Sequence, residues 1–413
     1  MPASPISSDC DFCGAYPVNH PMKYIDSCIG LLPALLAPSP TTATPRFLQI
    51  FRSPIVRFIC RTLITIAAAL GLIRFSSVID DEVTARSRVV WEEAERRGIR
   101  MQQLSILGLK RDEMRAWLPT RRGSRKRNWE YFESLPIPLW KNQDPASWID
   151  DKRLFKKVFE RNNLPVARGG AVFTYRAAKK IYDRLGCPVI TKPRDGSLAR
   201  HTTVAIATEA ELKEGFGRAK QLCPFVMVEE FVVGTLYRAT CVDRKLIGVI
   251  ELVRPKIVAD GRMTIEELRQ AFNQHKRFPS LTDVKDDSWF RDSIRHQGYK
   301  PADVPSAGTL IVLSEHSERP NGGYFIDITD RVPPAHRELI ERGAQVCGAE
   351  VIGFDLLSQD LTDPSVRFTF IEGNTLPHID VHHVPYEGAV QDVAGAIWDM
   401  WELEEDKGPK RSH

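Results

Sequence analysis

Two apolar runs near the C-terminus, VIGFDLL at residues 351–357 and VRFTFIEGN at residues 366–374, flank a polar insert that contains Asp363-Pro364. Each run has strand length and Asp-Pro is a turn signal, so the pair predicts a β-hairpin that brings Asp355 alongside Glu372. Glu372 and Asn374 are two apart and therefore project from the same face of a strand. Two carboxylates and an amide oxygen would then converge. Hard oxygen ligands of this kind suit Mg²⁺, which takes one or two protein carboxylates and completes its shell with water and nucleotide phosphates. The chemistry suggested is phosphoryl transfer from ATP, although these residues alone fit an ordinary hairpin with solvent-facing acids equally well.

With 413 residues, 43% hydrophobic and 27% charged, the chain has room for two or three globular domains with substantial cores. Its net charge of +4 is small for that length and gives no reason to expect nucleic acid. Eight cysteines are scattered, and only Cys10 and Cys13 form a close pair, in CDFC. A C-x-x-C without a second ligand pair reads as incidental in a Pro/Ser-rich leader. Cys60, Cys187, Cys223, Cys241 and Cys347 lie in apolar contexts and read as thiols of a reducing compartment, so the expected location is cytoplasmic.

Prolines punctuate residues 1–45, which are expected to lack regular helix and to be poorly ordered. Residues 46–80 form the next segment. Within it, residues 55–79 offer only residues 62–73 as an uncharged run, which is too short to span a bilayer. The first reading there is an amphipathic helix packed on the body; the second is peripheral membrane contact through an interfacial helix. Residues 81–148 predict a small α/β unit with a charged helix and a strand at IRMQQLSILG. The basic run at 110–127, within a stretch that holds Trp117, Trp129 and Tyr131, reads as a solvated loop or one that receives an anionic substrate, ahead of RNA binding.

From Asp150 the pattern alternates. DDKRLFKKVFERNNLPV predicts an amphipathic helix with Leu154, Phe155, Val158 and Phe159 inward. Strand, helix and strand signals then follow each other to VMVEEFV, and a β-hairpin is expected around Asp243-Arg244. Residues 279–305 read as polar and peripheral. PPAHRELIERGAQVCG is a helix with proline near its start, leading into the C-terminal hairpin, and the tail 401–413 is charged. The alternation is α/β or α+β in character, without an internal repeat.

In this order the pieces resemble an ATP-grasp ligase, in the branch of cyanophycin synthetase, bifunctional glutathione synthetase and D-alanine–D-alanine ligase. The resemblance runs over about residues 149–395. Asp151-Lys152 at a helix start, Lys192-Pro193 at a strand end and VEEFVVGTLYR at 228–238 carry it. RPKIVADG at 254–261, GGYFIDITDRVPP and FIEGNTLPHIDVHHVPYEG complete it. It implies an ATP-grasp domain over 149–400, with a lid subdomain at about 165–228, and two α/β subdomains clasping ATP. The N-terminal residues 81–148 would be a pre-ATP-grasp-like extension. The reaction implied is phosphorylation of a carboxylate by ATP and displacement of the phosphate by an amine.

On that resemblance Lys152, Lys192, Gly196 and Ser197 are expected at the phosphates, and Glu229, Phe231 and Val232 at the adenine. Arg238 and Arg254 would steady the transferring group, and Asp355, Glu372 and Asn374 would hold Mg²⁺, or Mn²⁺ in its place. Asp380 and His382 fall at the substrate end, and a small carboxylate and an amine are the implied partners; the oligomeric state stays open, a homodimer being one plausible assembly. Three departures stand out. The loop after Pro193 reads RDGSLARHT, with Ala199 and His201 where relatives tend to have glycine, leaving Ser197, Arg200 or His201 to supply phosphate contacts. Leu236 replaces the acid that normally meets the ribose. Asp380 stands where cyanophycin-type enzymes carry arginine, which points to a cationic or amine-bearing substrate. The competing readings are a nucleotide-binding pseudoenzyme or regulatory module and a membrane-surface or RNA-associated adaptor.

Overall fold

A computed structural model of the protein describes residues 10, 13, 18–36, 54–81, 83–119, 126–138, 148–196, 200–274, 283–314 and 322–401. The first sheet is an antiparallel meander of β1 (Ile73–Ser76), β2 (Met101–Ile106), β3 (Leu109–Pro119) and β4 (Arg127–Glu133). Alternation sets its faces, since Met114, Ala116 and Leu118, at spacing two, all point into a core. Onto that core pack the helix Ala85–Arg96, through Val90, Trp91 and Ala94, and the C-terminal helix Val393–Asp399, through Ile397 and Trp398. The indole nitrogens of Trp398 and Trp401 donate to the carbonyls of Val90 (3.0 Å) and Pro136 (2.7 Å), closing the chain's end onto this unit.

A second sheet contains β5 (Gly169–Val172), β6 (Val189–Pro193), β7 (Thr203–Ile206) and β8 (Val226–Glu230), in the order β5-β8-β6-β7. The helices Tyr175–Leu185 and Glu209–Lys220 cover one face, burying Ala178, Leu212 and Phe216 against Val172, Val189, Ile206 and Val228. Both helices are started by local chemistry. Thr174 accepts from Ala177 N, and Thr208 with Glu211 makes a capping box. Gly186 then stops the first of them in the left-handed region, at φ 61°.

Next come β9 (Thr235–Val242) and β10 (Lys245–Val253), joined through Asp243 and Arg244, both at positive φ as a tight hairpin turn requires. A ribbon of β11 (Lys256–Val258) and β12 (Leu310–Val312) carries the helices Ile265–Gln274 and Ser288–His296, with Phe290, Ile294 and Ile311 in a satellite core. The last strands are β13 (Tyr324–Asp327), β14 (Val351–Ser358) and β15 (Phe368–Asn374); the third sheet runs β13-β10-β9-β14-β15. One face buries Ala239, Cys241, Ile352 and Phe354 beneath the helices Lys152–Arg161 and Pro334–Cys347. Its other face is left for polar groups at one end of the strands.

Every strand pair in these sheets is antiparallel. Of the two classes the alternation allowed, the fold is therefore α+β. Three readings need correction. Residues 1–45 were expected to lack helix, yet His20–Leu36 is helical; Pro21 occupies the first turn, where a missing N–H breaks no bond, and Pro33 falls in the last turn. Within residues 55–79 the helix is Pro54–Ala69, but Ile73–Ser76 is strand β1, and Leu63, Ile66 and Leu70 are exposed, against the reading of a packed helix. The basic run 110–127 falls on β3 and the start of β4 with residues between that lie outside those described. Its Arg115 guanidinium sits between Phe75 (3.3 Å) and Trp129 (4.3 Å). Among the described residues no helix is long and apolar enough to cross a membrane. The tail 402–413 lies outside them.

Candidate active site

The polar end of the third sheet is built from three adjacent strands. β14 pairs Asp355 with Glu372 of β15 on one side and with Arg238 of β9 on the other. Alternation puts Arg238 and Thr240 on the face opposite Ala239 and Cys241, and Asp355 opposite Phe354. The register shift, which pairs Leu356 with Phe370 and leaves Ile371 of β15 as the extra residue, puts Phe370 in the core while Glu372 stays on the face of Asp355. Arg238 Nε donates to Asp355, and the two carboxylates face each other across the β14–β15 register. Burial, then the neighbouring charge of Glu372, pushes Asp355 up to about 6 despite Arg238. Burial works in the same direction on Glu372, but Lys152, Lys192 and Arg238 outweigh it and hold that carboxyl at about 2. Asn374 lies two residues on, opposite Gly353, and its buried amide nitrogen has no hydrogen-bond partner.

Because β15 is the edge strand, the helix packed beside it can reach round to this face. Phe155 presses on Gly373, where a Cβ would meet the ring at 2.8 Å, so the helix start lies directly beside the acids. Asp151 caps the helix by accepting from the amides of Arg153 (2.9 Å) and Leu154 (3.1 Å), and it also receives the Arg194 guanidinium at 2.5 and 3.0 Å. Lys152 donates to the Gly196 carbonyl at 2.5 Å and lies 3.3 Å from Glu372. Lys192, at the end of β6, is 3.0 Å from Glu229 of β8.

Lys156 also meets Glu229, at 2.5 Å, and sequence reasoning missed it as a site residue. A signal existed: it is one helical turn after Lys152 and so shares its face. The two lysines respond differently to their shared partner. Burial drives Lys156 down beyond what Glu229 restores, and Lys192 repels it; for Lys192 the pull of Glu229, Glu372 and Asp355 overcomes burial and raises it. Glu229, although buried, is held below the usual carboxylate range by both. Four cations, Lys152, Lys156, Lys192 and Arg238, thus surround three acids, Glu229, Asp355 and Glu372.

Not every expected residue joins them. Glu229 is engaged with the two lysines. Phe231 and Val232 are half-buried in the segment from β8 to β9, with Phe231 N donating to Pro188 O at 2.8 Å. Arg254 is exposed just past β10, and Ser197 and Ala199 lie outside the described residues. His201 was expected to offer a phosphate contact; instead its ring is buried, with Nδ1 2.9 Å from the Arg218 carbonyl and Nε2 turned away toward the leader. Asp380 and His382 are buried on a short 3-10 turn, Ile379–His382. The His382 Nε2 is 2.8 Å from Thr240 Oγ1, and its ring packs so closely on Gly248 that a Cβ there would lie 2.6 Å from Nδ1. Burial, then Arg238, pushes this imidazole down to about 3. His383 accepts from the Ala394 amide (3.2 Å), so the neighbouring histidines diverge and form no metal cluster.

No family model matches the chain. Cyanophycin synthetase of Trichormus variabilis is 28% identical over 268 residues, which is 62% of this chain and 30% of that protein. The enzyme of Geminocystis herdmanii is 30% identical over 63% of this chain and 31% of its own. A bifunctional glutathione biosynthesis protein of Desulfotalea psychrophila is 25% identical over 61% of this chain and 34% of its own. The chain thus spans about a third of the length of these curated relatives. Among solved structures, the bifunctional glutathione synthetase of Pasteurella multocida superposes with a TM-score of 0.56 and 22% identity, over 78% of this chain and 45% of that one, and it has the same fold.

Proposed function

We propose that this member of the ATP-grasp superfamily, in the branch of cyanophycin synthetase and glutathione synthetase, joins a carboxylate to an amine using ATP. The observation that carries the reading is the Asp355–Glu372 pair, two carboxylates directly across the β14–β15 register, one buried and one half-buried, with Lys152 3.3 Å from Glu372 and Arg238 paired to Asp355. Buried like charges side by side are stable only with cations to share. The donor set fits a hard divalent ion. Asp355, Glu372 and the Asn374 side-chain oxygen would hold Mg²⁺, which when bound offsets phosphate charge and polarises the transferring group.

In the reaction a substrate carboxylate oxygen takes the γ-phosphoryl group of ATP, leaving ADP and an acyl phosphate. The amine nitrogen then attacks the acyl carbon, the C–O bond to phosphate breaks, and inorganic phosphate and the amine proton leave. Lys152 and Lys192 neutralise phosphate oxygens, Lys156 keeps Glu229 and so Lys192 in place, and Arg238, paired to Asp355, stabilises the acyl phosphate. Gly196 supplies backbone to the loop over the phosphates. Phe231 and Val232 lie where a strand-joining segment can flank adenine. Arg254, at the ribbon's mouth, is the second candidate for the transferring group. Asp380, buried beside His382, favours the amine partner. The small-molecule carboxylate, the amine, a homodimeric assembly and a cytoplasmic setting belong to this proposal.

Phosphate release measured over pairs of amino acids, small acids and peptides tests it. At least one pair should give Mg²⁺-dependent release, Asp355→Asn should reduce it by at least about 10²-fold, and Asp380→Arg should shift the preferred amine toward an acidic one. ATP binding without release under every pair would favour a nucleotide-binding regulatory module instead.

A further inference from the structure

The CDFC pair in the leader does not stand alone in three dimensions. The ligand atoms of Cys10, Cys13, His20 and His201 all lie within 4.8 Å of one another. Cys10 Sγ is 3.4 Å from His201 Nε2, and Cys13 Sγ is 3.1 Å from His20 Nε2 and 3.5 Å from His201 Nε2. A tetrahedron with Zn–S and Zn–N bonds of about 2.3 and 2.05 Å separates a sulfur from a nitrogen by about 3.6 Å. The observed spacings are close to that edge. His20 and His201 stand edge to face with ring centroids 4.7 Å apart, as two ligands of one ion must when they approach from different directions.

The surroundings are those of a metal ligand set. The Arg218 carbonyl, 2.9 Å from His201 Nδ1, places the proton on that nitrogen and points the lone pair of Nε2 at the sulfurs. Cys13 N donates to Cys10 O at 3.0 Å, the tight turn a C-x-x-C chelate needs. Two thiolates and two imidazoles, with four protein ligands and none left open, match zinc rather than Mg²⁺.

We infer that Cys10, Cys13, His20 and His201 bind one structural Zn²⁺ that fastens the N-terminal segment to the loop after Lys192-Pro193. The partner of the cysteines is 188 residues away from Cys13, so sequence spacing alone could not reveal it. The fastening is placed to matter for the candidate active site. The same helix that begins at His20 sends Lys23 Nζ (3.0 Å) and Ser27 Oγ (2.7 Å) to Asp195, the neighbour of Gly196, whose carbonyl receives Lys152. In this chain a metal-anchored leader thus takes over the positioning of a loop that has lost glycines, and His201 stands where it does as a ligand.

Zinc content of the full-length, reduced chain, measured after dialysis by plasma mass spectrometry, should be one per chain. Co²⁺ in its place should show thiolate-to-cobalt charge transfer and the visible bands of a tetrahedral ion. Cys10→Ser with Cys13→Ser should abolish stoichiometric binding, and His201→Asn should weaken it at least about tenfold. Because these variants could misfold, the wild-type chain, stripped by a chelator and reloaded with Zn²⁺, should lose thiol reactivity at Cys10 and Cys13 on reloading. Zinc content no higher in the wild type than in the double-serine variant, or unchanged thiol reactivity on reloading, would overturn the site.

Discussion

At the scale of single residues, burial with or without a partner decides behaviour. His382 is buried and neutral, held at about 3 where the unfolded chain would titrate near 6.5. Between those values the unfolded state binds a proton that the folded state refuses, so stability falls as pH drops through that window, by about 1.4 kcal/mol per pH unit for one such group. Urea titrations from near neutral to mildly acid pH should show that slope, reduced by one proton in His382→Asn; an identical slope in the variant would remove His382 from the account. Lys156 is the opposite case, a buried cation whose partner is shared. Lys156→Met leaves Glu229 with Lys192 alone and should destabilise by about 1–3 kcal/mol in denaturant unfolding, while also weakening ATP binding. A variant as stable as the parent, with unchanged ATP affinity, would show that Lys192 suffices.

Elements carry the site by fixing registers and approaches. The hairpin of β14 and β15 was legible because Asp363-Pro364 and two apolar runs set both its turn and its faces, and Asp355 lies directly across from Glu372. The helix Lys152–Arg161 was legible from its apolar positions, but its seat against Gly373 was not, since nothing local says which strand it will touch. That seat is testable. Gly373→Ala puts a methyl against Phe155, and overpacking of this sort costs about 1–3 kcal/mol. The helix should shift, withdrawing Lys152, so KM for ATP should rise more than kcat falls. Equal loss in both, or none, would mean that the helix start does not depend on this contact. The β3–β4 hairpin was misread as a loop because its basic residues masked the alternation of Met114, Ala116 and Leu118, whose burial depends on a helix elsewhere in the chain.

On the scale of the whole molecule, cations from the β5–β8 sheet and from the helix Lys152–Arg161 face acids on the five-stranded sheet, so bound nucleotide should draw the two together. Saturation at about 100 times Kd stabilises a folded state by about 2.7 kcal/mol. Mg²⁺ with ATP should therefore raise the unfolding midpoint and slow amide exchange in both β5–β8 and β14–β15, with little change in β1–β4. Protection limited to one sheet would argue against a clasped nucleotide. What the sequence by itself determined follows from local chemistry and period: strands and helices after Asp150 and the acids of the hairpin; Lys152 and Lys192 were singled out by the family resemblance. Contacts between residues far apart in the chain were left to the tertiary structure. It alone joined Lys156 to Glu229, set His382 on Gly248, and brought His201 to Cys10 and Cys13. Periodicity reports which face of an element is buried, whereas the partner on that face is chosen only when separate elements pack together.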